Sequence, residues 1–137
     1  MKVVFDTNVY ISEALFDALA EIIARAGRNG IFAVYACDFI IAEIYTVLLT
    51  HFRTTRRFAR LSAERARKSA RLVPTRNKIY EGLIDEKDNP ILETAINSGA
   101  DYLVTGDKHL LILSPYQGIE ILSPGDFHRK LRYAKLL

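Results

Sequence analysis

Four acidic residues, Asp6, Glu43, Asp88 and Asp107, are of a type that could do chemistry together. Val3, Val4 and Phe5 make an apolar, partly β-branched run that reads as a buried strand over residues 2–5. The run ends on Asp6, followed at once by Thr7 and Asn8. A carboxylate at the mouth of a buried strand is unfavourable unless something pairs with it, so Asp6 either shapes a turn or belongs to a site. Asp107, in YLVTGDKHLL, follows a later apolar run in the same way. Glu43, in DFIIAEIYTVLL, has Ile40 three residues before it and Val47 four after, which places it on an apolar helical stripe or at its edge. Asp88 precedes a helix start marked by Asn89 and Pro90, a position that favours acids in any case.

Each of these acids has an ordinary explanation by itself. Gathered at one crevice they would repel one another. A hard divalent cation relieves that repulsion, and oxygen-only ligation suits magnesium or manganese. His51, His109 and His128 show no metal-ligand spacing with each other or with the single cysteine, Cys37, which argues against zinc. The chain carries no P-loop, no G-x-S-x-G elbow and no dinucleotide-binding glycine fingerprint.

The elements that must position these acids follow from periodicity. Leu15, Leu19, Ile22 and Ala26 form one helical stripe, with Phe16 and Ile23 beside it and Gly27 and Gly30 as the stop. IFAVYAC reads as a second strand, and Asp38 as the cap of a helix reaching about His51. TTRRFARLSAERARKSA reads as a further helix capped by Thr54 or Thr55, with Phe58 and Leu61 on its core side, and RLVP as a short strand. DNPILETAINSG is a helix capped by Asn89 and stopped at Gly99, DYLV and IEIL are strands, and SPGDFHRKLR is a last helix capped by Ser123. Strands alternating with crossover helices predict a parallel sheet covered on both faces, in which ligands bind outside the carboxyl ends of the strands.

At 137 residues the chain is expected to form a single domain, with roughly two-thirds of its unfolded surface buried. Asp6 breaks the N-terminal apolar run too early for a signal peptide, and no run approaches the ~20 residues of a membrane span. The expectation is a soluble, cytoplasmic protein. The net charge of +3 conceals an asymmetry. Ten Lys and Arg fall between Arg53 and Lys78 against one acid, Glu64, leaving nine basic and fifteen acidic residues elsewhere.

VVFDTNVYIS, AEIYTVL, DEKDNPILETAINSGADYLVTGDKHLL and IEILSPGDF together resemble successive blocks of a PIN-domain protein, nearest to the VapC-type toxins of toxin–antitoxin pairs. The resemblance runs over nearly the whole chain and is weakest in the basic segment. It implies a three-layer α/β/α sandwich with a central parallel sheet and a metal-dependent ribonuclease site. Carried over position by position, the family's acids fall on Asp6, Glu43, Asp88 and Asp107, with Asp85 as the alternative to Asp88. Asn8 and Thr105 match positions that orient carboxylates or water. The products implied carry a 5′-phosphate and a 3′-hydroxyl.

An acidic crevice needs help to attract a polyanion. Arg53, Arg56, Arg57 and Arg60, continued by Arg67, Lys68 and Arg71, follow helical spacing and suit contacts to a single-stranded RNA backbone. The same stripe fits a solvated helix face or the dock of an acidic antitoxin tail. A homodimer is the expected assembly. Two other readings compete. A phosphatase of the haloacid-dehalogenase type also ends its first strand on an aspartate, but needs a second aspartate two residues on, where this chain has Asn8. A PIN-like domain can also serve as a catalytically silent RNA-binding or scaffold module.

Overall fold

The computed structural model describes residues 1–76, 80, 82 and 86–137. Strand β1 (Lys2–Phe5) lies at the middle of a five-stranded sheet. It is followed by helices α1 (Thr7–Ala14) and α2 (Ala18–Arg28), then strand β2 (Ala33–Ala36) and helix α3 (Asp38–Thr50). Helix α4 (Arg56–Ser69) and the two-residue strand β3 (Arg71–Leu72) come next. A 3-10 turn (Glu86–Asp88) leads into α5 (Asn89–Ser98), then β4 (Tyr102–Val104), α6 (Lys108–Leu111), β5 (Glu120–Leu122) and α7 (Pro124–Tyr133).

The strand order is β3-β2-β1-β4-β5 and every pairing is parallel. Val3 and Val4 are fully buried and Phe5 nearly so, as a strand covered on both faces requires. Helices α2 and α7 pack together, as do α1 and α3, while α5 packs on β1 and β2. This is the expected parallel α/β/α sandwich. Phe5, Phe32 and Phe127 meet edge to face with ring centroids 5.2–6.4 Å apart, joining β1 to the helix that closes the fold. Among the described residues, no helix is long and apolar enough to cross a membrane.

Three local expectations differ from what is observed. Helix α2 begins only at Ala18, capped by the Asp17 side chain through a 2.9 Å bond from the Ala20 N–H. Its buried face is Ala20, Ile23, Ala24, Ala26 and Gly27, while Leu15, Phe16 and Ile22 are exposed. Of the stripe read from the sequence, Ile23 and Ala26 are buried and Leu19 is half-buried, so only Leu15, Phe16 and Ile22 were misplaced. Cys37 and Asp88 occupy the cap positions of α3 and α5, one residue before those expected. Thr55 and Ser123 cap α4 and α7 as read, and Gly99 closes α5 in the left-handed conformation at φ 67°. Leu61, expected on the core side of α4, is half exposed, because α4 packs through Ala59, Ala63 and Ala66.

Candidate active site

The order β3-β2-β1-β4-β5 means that the chain winds outward from β1 in one direction and then in the other. The switch point falls between β1 and β4, where open parallel sheets leave a crevice at the strand carboxyl ends. Asp6 is the residue after β1, and Asp107 follows β4 by three residues. The switch point therefore sets both turns at one end of two paired strands, in register through Phe5 and Val104.

Thr105 joins them. Its hydroxyl donates to Asp6 Oδ2 at 2.7 Å and accepts from the Asp107 backbone N–H at 3.0 Å. The Asp6 backbone N–H donates to the Val104 carbonyl at 2.9 Å, so the turn is held by main chain as well. Thr105 is fully buried and Asp6 is 4% exposed. Asp107 caps α6, its Oδ1 accepting from the His109 N–H at 2.9 Å, and the His109 ring lies alongside with Nδ1 3.4 Å from the same oxygen.

Burial pushes the Asp6 carboxyl up to about 6. The Thr105 hydroxyl and the Thr7 backbone N–H act in the opposite direction, and the charges of Glu43 and Asp107 add to the rise. Glu43, from α3, and Asp107, from the β4–α6 turn, thus both act on the charge of Asp6 at the end of β1. Glu43 is half-buried at the edge of the stripe formed by Ile40, Ile41, Ile44 and Leu48. Asp88 is half-buried where the 3-10 turn meets α5. Asp85 lies outside the described residues. Asn8 is exposed on the first turn of α1.

Among the described residues, no three His, Cys, Asp or Glu side chains are drawn close enough together to hold a metal ion as they are placed. The donor chemistry of the crevice nevertheless fits a hard cation. It offers carboxylate and hydroxyl oxygens, and the charge on Asp6 is opposed by its acidic neighbours.

Glu93 and Asn97, which the sequence reading passed over, and Asn89, which it read only as a cap, also shape this end of the fold. Asn89, Glu93 and Asn97 recur at every fourth position along α5, and each holds the chain that returns from β3. Asn97 Nδ2 donates to the Pro74 carbonyl at 3.2 Å, the Arg76 N–H donates to Glu93, and the Tyr80 N–H donates to Asn89 Oδ1 at 3.3 Å. Glu93 is only 1% exposed. The i, i+4, i+8 polar spacing was the available signal. Of the basic stripe, Arg53, Arg56, Arg57 and Arg60 are exposed, with Arg53 in a left-handed turn at φ 51° between α3 and α4. Arg67 is paired with Asp38 at 3.3 Å, and Arg71 leaves the helix altogether to lie in β3.

A parallel sheet that reverses its direction of growth leaves its ligand crevice at the strand carboxyl ends, here beside Asp6 and Asp107. A family model described as PIN domain matches residues 2–109, a span that includes all four acids, and the chain belongs to the PIN-domain family. PIN domains are generally nucleases, and they typically use divalent metals. No curated protein matches the chain.

Proposed function

We propose that this PIN domain is a magnesium- or manganese-dependent endoribonuclease that hydrolyses RNA phosphodiester bonds, and that it is the toxin of a toxin–antitoxin pair. The observation that carries the reading is the Asp6–Thr105–Asp107 linkage at the switch point, with Glu43 near enough to act on the same charge. Asp6, Glu43, Asp88 and Asp107 would hold the ion. Once bound, a divalent ion lowers the pKa of a water and stabilises charge on the phosphate and leaving oxygens.

The chain's own residues do the rest. Thr105 orients the Asp6 carboxylate and fixes the turn that presents Asp107. Glu43 sits on a helix edge with a long side chain able to swing toward Asp6. Asn8 stands on the first turn after Asp6 with an amide able to hold a phosphate oxygen or water. Arg53, Arg56, Arg57 and Arg60 offer an exposed cationic face for the backbone of a single strand.

Incubating wild type and Asp6→Asn with single-stranded RNA, with Mn²⁺ or with chelator, tests the proposal. The expected result is metal-dependent cleavage by wild type, giving 5′-phosphate ends, and none by the variant. Equal cleavage by both proteins would overturn it. Hydrolysis of phosphate monoesters without RNA cleavage would point to the phosphatase instead, and RNA binding without turnover to a silent module.

A further inference from the structure

The proposed hydrolysis leaves unused the polar face of α5. Elsewhere this helix packs in the ordinary way, with Ile91, Leu92 and Ala95 buried and the helix lying on β1 and β2. The polar face is built differently, around the buried carboxylate of Glu93. One oxygen of that carboxylate accepts the Arg76 N–H and, at 3.4 Å, the Asn97 amide. Asn97 also donates to the Pro74 carbonyl, and Asn89 accepts the Tyr80 N–H.

Covering α5 does not by itself call for such residues. A buried carboxylate is costly unless its hydrogen bonds are made, and apolar side chains would cover the same face without that cost. Hydrogen bonds add direction. Three side chains, each one turn from the next, bond three particular backbone groups, so the chain returning from β3 cannot slide along α5 without breaking them. Asp88 stands at the end of this ladder. It lies in sequence between Tyr80 and Asn89, the two residues joined at 3.3 Å, and it immediately precedes the helix. The Tyr80 side chain is half-buried against the core, so that end is anchored as well. In the first turn of α5, the Pro90 carbonyl accepts from the Cys37 thiol at 3.9 Å. That contact ties the start of α5 to the start of α3, the helix that carries Glu43.

We propose that Asn89 and Glu93 are positioning residues for the candidate metal site: they fix the register of the chain that returns from β3, and through it the place from which Asp88 reaches the ion. That Asp88 reaches an ion at all rests on the nuclease reading above. Neither Asn89 nor Glu93 is a ligand in this arrangement; each acts through Asp88. Groups that hold a metal ligand in place commonly govern affinity by ten- to a hundredfold.

The test combines calorimetric titration with Mn²⁺ and amide hydrogen exchange in chelator. Asn89→Ala removes the acceptor of the Tyr80 N–H. That amide is expected to exchange faster, and Mn²⁺ affinity to fall about tenfold. In an Asp88→Ala background the same substitution is expected to cause no further loss of affinity, because Asn89 acts through Asp88. Glu93→Ala should repeat the pattern at the Arg76 amide. Glu93→Gln keeps an oxygen for that N–H and should bind Mn²⁺ like wild type. If Glu93→Ala does not fold, Asn89→Ala carries the test. A merely structural role would lower the thermal midpoint and leave Mn²⁺ affinity where it was, and that result would overturn the proposal. So would an equal loss of affinity in the Asp88→Ala background. Manganese-dependent RNA cleavage, with an affinity indifferent to Asn89 and Glu93, would sink the positioning role and leave the nuclease standing. An affinity that depends on Asn89 through Asp88, without any RNA cleavage, would keep the positioning role and sink the nuclease.

Discussion

At the scale of single residues, Asp6 sets chemistry against stability. Its carboxyl titrates near 6, against 3.8 for an unperturbed aspartate, chiefly because it is buried. The folded chain therefore binds a proton more tightly than the unfolded one. Stability from this group is fully present below pH 3.8 and is lost as pH rises to about 6. The difference amounts to about 3 kcal/mol as an upper bound. In chelator, wild type should lose stability between these two pH values, and Asp6→Asn should lose less and melt higher than wild type at pH 7. Denaturant titrations across pH would show it; a variant less stable than wild type at pH 7 would contradict it. The strand that delivers Asp6 was legible because an apolar run stopped abruptly on an acid. Thr105 was not legible from periodicity: a threonine after a strand is unremarked until its hydroxyl is seen shared between two aspartates. Only the family resemblance pointed to it.

At the scale of elements, the sequence reads well where large side chains carry the pattern and poorly where small ones do. All five strands were found, β1 and β3 among them, because β-branched or aliphatic runs mark them. The inner face of α2 was read only in part, at Ile23 and Ala26, because the rest of it is built from alanine and glycine. A Cβ on Gly27 would come 2.7 Å from Val34 Cγ2 and 3.0 Å from the Phe32 ring. The helix thus sits on β2 at a distance only glycine permits, and Val34 is a stiff β-branched neighbour. Gly27→Ala should destabilise the protein by about 1–2 kcal/mol despite alanine's better helix propensity, lowering the thermal midpoint by several degrees; a rise would show that the sheet yields. The four-residue α6 is too short for a period, and α1 was hidden by the polar residues that open it. On α4, the alanines at 59, 63 and 66 face inward and leave the arginines outside. Replacing Arg56, Arg57 and Arg60 together by alanine should change stability by no more than about 0.5 kcal/mol each. If they contact RNA, the salt dependence of binding should flatten by about two counterions. An unchanged salt slope would leave that face merely solvated.

For the whole molecule, topology brings distant parts of the chain together. Asp6 and Thr105 are 99 residues apart and share a hydrogen bond, because the sheet reverses its direction of growth between β1 and β4. Alternating strands and helices implied such a crevice without fixing which strands would flank it, so the meeting of Asp6 with Asp107 had to wait for the strand order. The balance of charge follows the same division. The segment Arg53–Lys78 is strongly basic and the remainder has a net charge of −6, which suits a site that must concentrate carboxylates yet attract a polyanion. The central claim is that the four acids, spread over the chain from Asp6 to Asp107, hold one divalent site. Anomalous diffraction from crystals soaked in Mn²⁺ tests it most directly. The account predicts a manganese peak bound by carboxylate oxygens of Asp6 and Asp107, with Glu43 and Asp88 drawn toward it, and no peak there in Asp6→Asn. Manganese bound only elsewhere, or a peak that persists in the variant, would contradict it.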